Sequence, residues 1–130
     1  MAQVSVSYQG GAAFKAECRS HSLSMDQSVE KGGTDAGFTP PELFAASLAG
    51  CIGHYVAAYC NKAGLSADGL KTLCDWHMAE DPYRIGNLDV RVVLPGLPEK
   101  RRKAVERVAE SCLLHATLLH SPVININVSH

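Results

Sequence analysis

The chain lacks a charge imbalance. Its 12 Lys and Arg stand against 13 Asp and Glu in 130 residues, a formal net charge of −1. As a whole it therefore attracts neither nucleic acid nor an acidic membrane. The run Lys100-Arg101-Arg102-Lys103 is its one basic cluster and reads as a solvated helix face. A dense cysteine framework is also missing. The five cysteines are odd in number and scattered, which argues against a disulfide-stapled secreted domain. A reducing cytoplasm with free thiols is the expected setting. No apolar leader opens the chain, because Met1-Ala2-Gln3-Val4-Ser5 alternates like a strand. Repeats, low-complexity tracts and linkers are absent as well. The expectation is one domain over 1–130, long enough to bury a core without staples.

One stretch has no charge at all. Leu43 to Asn61 contains no Asp, Glu, Lys or Arg and is long enough for a membrane span. It is rich in Ala and Gly and includes Ser47, His54 and Asn61, so its hydrophobicity is weak for lipid. A core helix is the expected form, and no membrane partner. Thr39-Pro40-Pro41-Glu42 gives that helix a capping box with proline in the first turn, and Gly64 gives it a stop. A helix of about 24 residues is roughly 36 Å long and crosses the whole domain. Ala45, Ala49, Gly53 and Ala57 form a stripe of small residues that another helix can approach closely. Phe44, Leu48, Cys51, Ile52, Tyr55 and Tyr59 occupy the opposite side. A small domain has difficulty covering both sides, which points to a partner chain and most simply to a twofold homodimer.

Around this helix the alternation predicts antiparallel strands. Residues 2–8, 12–18 and 21–26 read as a three-stranded meander. A polar, glycine-rich loop follows over 30–39. A second strand pair is expected over 69–79 and 83–94, a helix over 99–111, and a short helical stretch past Cys112 to Leu119. A final strand is expected within 122–129, carried by Val123, Ile124, Ile126 and Val128. The fold class is α+β, with strands wrapped around a long central helix.

Two cysteines carry the chemistry. Cys51 and Cys112 lie in or beside separate helices, each with a histidine three positions later, His54 and His115. Two thiols on separate elements can face one pocket, which suits a peroxide-reducing dithiol. Each Cys/His pair shares a helix face, so a Cys2His2 metal site is the competing reading. Taken alone, Cys51 has apolar helical neighbours that favour an inert thiol, and Cys112 also reads as structural. Cys18, Cys60 and Cys74 read as small hydrophobes. Glu42 needs no role beyond its capping box. It stands nine residues from Cys51, half a turn around the helix and about 13 Å along it. It cannot easily serve the thiol of its own helix, but in a twofold dimer it can approach the other chain's thiol. Arg19 lies between two strands and reads first as a surface charge.

These residues resemble a known family. Gly32-Gly33-Thr34-Asp35-Ala36-Gly37-Phe38-Thr39-Pro40-Pro41-Glu42-Leu43, followed by Ala-Ala-Ser-Leu-Ala-Gly-Cys51, is similar to the OsmC/Ohr family of osmotically inducible and organic hydroperoxide resistance proteins. Glu-Ser-Cys112-Leu-Leu-His-Ala-Thr-Leu resembles its second cysteine motif. The resemblance implies an intertwined α+β homodimer with two sites at the subunit interface. It implies a cysteine peroxidase that acts on hydroperoxides, uses an external dithiol reductant and needs no cofactor or metal. Cys51 aligns with the peroxidatic cysteine, Cys112 with the resolving cysteine, and Glu42 with a glutamate that positions an arginine beside the reactive thiol. The strand preceding the glycine-rich loop, where OsmC-type members carry that arginine, reads His21-Ser-Leu-Ser-Met-Asp-Gln-Ser-Val-Glu, so Arg19 is the nearest candidate. Leu113 follows the second cysteine, where many members have proline. These departures place the chain nearer the broader OsmC-like branch.

Overall fold

Short alternating runs separated by tight turns build the first sheet. β1 (Ser5–Tyr8), β2 (Phe14–Cys18) and β3 (His21–Met25) pair antiparallel in the order β1-β2-β3. The computed structural model describes residues 2–130. Val6, Ala16 and Leu23 lie in register, as do Tyr8, Phe14 and Met25, so one face of the sheet is apolar. The other face carries Ser7, Lys15 and Ser24 in one row and Ser5, Glu17 and Ser22 in another. The apolar face stays open in this chain, with Val6, Tyr8 and Leu23 all exposed. The glycine-rich segment after β3 contains a short 3-10 turn, Val29–Lys31, and returns to pair Met25 with Phe38 in an isolated parallel bridge. Contacts group residues up to Phe44 into one compact unit and residues 45–130 into a second.

α1 (Pro40–Ala63) starts and stops where the capping residues require. The Thr39 N–H donates to Glu42 Oε1 at 2.7 Å, and the Glu42 N–H donates to Thr39 Oγ1 at 3.4 Å. This reciprocal pair satisfies two of the free N–H groups at the helix start. At the other end Gly64 adopts φ 71°, and the Leu65 N–H reaches the Cys60 carbonyl at 2.8 Å, a Schellman closure. By length and composition alone α1 passes for a membrane span. Its Leu48, Ile52, Val56 and Cys60 pack with Val105 and Cys112 as the core of the second unit.

β4 (Lys71–Ala79) and β5 (Arg84–Val93) form an antiparallel pair with a bulge at His77/Met78. Thr72, Cys74 and Trp76 oppose Val92, Val90 and Leu88, while Asp75 faces Asp89 and His77 faces Asn87 in the alternate rows. Leu88, Val90 and Val92 pack against the core. At Ala49 and Gly53 the small-residue stripe of α1 is approached by β4. Thr72 Oγ1 donates to the Ala49 carbonyl at 3.0 Å, and a Cβ on Gly53 would lie 3.5 Å from Thr72. The exposed side of α1 is the neighbouring stripe of Ala46, Gly50, His54 and Ala58.

The expected helix over 99–111 divides into a 3-10 turn, Glu99–Arg101, and α2 (Arg102–Glu110). The basic cluster is not uniformly solvated. Arg101 Nη1 donates to Tyr59 Oη at 3.1 Å, and Arg102 pairs with Glu99 and Glu106. α3 (Leu113–Leu119) follows Cys112. The expected final strand does not form: residues 121–130 carry no regular structure. Val123 and Val128 are 88% and 95% exposed. An alternating run becomes a strand only against an edge that completes its backbone hydrogen bonds, and this tail meets none within its own chain.

Candidate functional site

Cys112 sits at the N-cap of α3, with φ −65° and ψ 151°. Its Sγ accepts the His115 N–H at 3.3 Å, and its side chain is fully buried. Burial pushes this thiol above its ordinary value. The N–H groups of His115 and Leu114 oppose the rise, and the adjoining Cys51 thiol adds to it. The two thiols are neighbours in the core cluster, and both cysteines are free. Cys51 is half-buried and packs against the core from the middle of α1. The structure thus brings the two cysteines together from separate elements.

The histidines do not join them. His54 lies on the exposed side of α1, with its ring edge-on to Tyr55 at a centroid distance of 6.1 Å. His115 Nδ1 is 2.6 Å from the Glu110 carbonyl, so that nitrogen carries a proton and donates it. Among the described residues no group of three His, Cys, Asp or Glu side chains is arranged to hold a metal. Cys74 is a separate, half-buried thiol. Burial raises its pKa, and Asp75 and Asp89 add to the rise.

Glu42 and Arg19 belong to the first unit. Glu42 is exposed, and its carboxylate is held by Thr39. Arg19 is exposed in the two-residue turn between β2 and β3, at φ 56°. Among the described residues neither has an ion-pair partner. Inspection of the sequence did not single out Asp26, the buried carboxylate at the end of β3. The available signal was an acidic residue just before a polar loop rich in free N–H groups.

Leu48 and Ile52 line a groove of about 690 Å³ in the second unit, and neither Cys51 nor Cys112 is on its lining. Val90, Val105 and Leu118 supply apolar wall, while His115 and Arg102 lie on its lining. This volume is within the range of small-molecule sites.

Residues 32–127 match the model of the OsmC-like protein family. The fold is that of several solved structures. A Psychrobacter arcticus 273-4 protein superposes with a TM-score of 0.82 at 23% identity, covering 90% of this chain and 88% of its own. An organic hydroperoxide resistance protein OsmC from Legionella pneumophila gives 0.68 at 20% identity, covering 89% and 88%. An organic hydroperoxide resistance protein of Bacillus subtilis gives 0.65 at 20% identity, covering 90% of each chain. No curated protein matches the sequence. A match over both cysteines and the glycine-rich loop, on an α+β fold with antiparallel strands and a long central helix, makes this chain a member of the OsmC-like protein family.

Proposed function

We propose that this protein is a thiol-dependent peroxidase that reduces organic hydroperoxides in defence against oxidative stress. The observation that carries this reading is the placement of Cys51 against the core cluster that holds the buried Cys112. A thiol raised by burial stays protonated at neutral pH, which disfavours Cys112 as the residue that attacks the peroxide. In the first step the Cys51 thiolate attacks the distal peroxide oxygen. The O–O bond breaks, the alkoxide takes a proton and leaves as an alcohol, and sulfur becomes a sulfenic acid. Cys112 then attacks that sulfur. A disulfide forms, and the hydroxyl leaves as water with the thiol proton. An external dithiol restores both thiols by exchange. The apolar neighbours of Cys51 in the core, Leu48 and Ile52 among them, favour an organic hydroperoxide.

In this reading Glu42 orients a guanidinium that holds Cys51 as thiolate, with Arg19 as the candidate. Both come from a second copy of the chain in a homodimer. Supporting the dimer are the open apolar face of the first sheet, the uncharged exposed stripe of α1 and the unpaired apolar tail. We read residues 1–130 as one domain, a reading supported by a family match that crosses from the first compact unit into the second. Five free thiols fit a reducing cytoplasm.

A non-catalytic protein that holds a small apolar ligand is the second reading, favoured by the groove and by the absence of an ion pair on Glu42. Single-turnover thiol loss with cumene hydroperoxide separates the two. Wild type should consume peroxide rapidly, Cys51→Ser only at background rate, and Cys112→Ser should stop at a trappable sulfenic acid. Equal consumption by Cys51→Ser and wild type would sink the peroxidase reading.

A further inference from the structure

Among the described residues Asp26 is the buried charged side chain, 2% exposed. Its carboxylate accepts from one side the Gln27 N–H at 2.7 Å. From the other it accepts the Thr34 N–H at 3.1 Å, the Thr34 hydroxyl at 2.9 Å and the Ala36 N–H at 3.1 Å. Main-chain bonds close the same loop. The Asp26 N–H donates to the Phe38 carbonyl at 3.2 Å, and the Asp35 N–H to the Gln27 carbonyl at 3.0 Å. Two glycines permit the approach: a Cβ on Gly33 would overlap the Gln27 carbonyl, and one on Gly37 the Ser24 carbonyl. A glycine-rich loop with inward N–H groups is a ready cradle for an external anion. Here Asp26 fills the cradle, so the loop serves geometry and not anion binding.

That geometry ends at Glu42. Phe38 is pinned to β3 by its bridge and by the Asp26 N–H. The next residue, Thr39, holds the Glu42 carboxylate at 2.7 Å. We propose that Asp26 is a positioning residue for Glu42, acting through the clasped loop and Thr39. The inference rests on the peroxidase reading, in which Glu42 orients the guanidinium beside the Cys51 thiolate. An asparagine at position 26 offers one acceptor oxygen and one donor amide, so it cannot accept from both sides of the loop. The clasp then opens at Gln27 or at Thr34 and Ala36, and Thr39 loses its fixed start.

The test is the pH profile of Cys51 alkylation by iodoacetamide, followed by peptide mapping in full-length protein. Asp26→Asn should move the midpoint upward in the same direction as Glu42→Gln. A rise of about one pH unit lowers the rate near pH 7 roughly tenfold. The double variant should be no worse than Glu42→Gln alone, because both changes act through one group. Thr34→Val removes only the hydroxyl contact; it should give a smaller shift of the same sign and carries the test if Asp26→Asn does not fold. A folded Asp26→Asn with lowered melting temperature but a wild-type Cys51 profile, while Glu42→Gln shifts it, overturns the positioning role and leaves the peroxidase reading standing. A Glu42→Gln profile equal to wild type, with peroxide turnover independent of Cys51, overturns the underlying reading and this inference with it.

Discussion

Gly33 and Gly53 answer the same substitution in opposite ways. Gly33→Ala drives a methyl group into the Gln27 carbonyl, where backbone must move. It should cost at least about 1–3 kcal/mol in urea denaturation, as overpacking does. Gly53→Ala places its methyl at an ordinary contact distance from Thr72 in the interior of α1. It should stabilise by up to about 1 kcal/mol through helix propensity. The capping pair Thr39 and Glu42 could be read from residue types and spacing, because the motif is local. The Asp26 clasp could not, because its partners lie eight and ten residues away and only the fold of the loop brings them in.

At the scale of elements, the clasped loop has a pH signature. Backbone N–H groups, with Ala36 the largest contributor, hold the Asp26 carboxyl down to about 2. A carboxyl lowered on folding stabilises fully above its unfolded value and loses that contribution as pH falls through the folded one. The melting-temperature gap between wild type and Asp26→Asn should therefore be widest above about pH 4 and narrow between about pH 4 and pH 2. α1 makes a different demand. Val56 is fully buried at the centre of the core that α1 shares with Val105 and Cys112. Val56→Ala should cost about 2–3 kcal/mol, from two lost methyl groups and the cavity they leave. Equilibrium denaturation reads both the midpoint and the unchanged slope expected of a cavity variant. The small-residue stripe of α1 was visible in the sequence, but its occupant was not. Periodicity reports that something approaches closely, and both a strand and a helix satisfy it.

The whole molecule leaves much apolar surface open. Ile124 and Ile126 are 77% and 86% exposed, and the apolar face of the first sheet is uncovered. Apolar surface on this scale marks an interaction surface in a soluble protein. The homodimer reading predicts that wild type sediments as a dimer at micromolar concentration. Ile124→Asp with Ile126→Asp should shift it to monomer and depress peroxide turnover together. A monomeric wild type would remove the route by which Glu42 and Arg19 reach a second chain's thiol.

The sequence by itself determined what is local or periodic. It set the ends of α1 through Thr39, Glu42 and Gly64, the two antiparallel sheets through alternation, and the family through its cysteine and glycine motifs. Tertiary structure decided what depends on distant residues meeting. It gathered Cys51 and Cys112 at one core cluster, turned Arg101 onto Tyr59, filled the glycine-rich loop with Asp26 and left the tail without a strand partner. The physical reason is the same in each case. Caps and alternation are satisfied within a few residues, whereas burial, thiol pairing and strand edges depend on which surfaces the folded chain brings together.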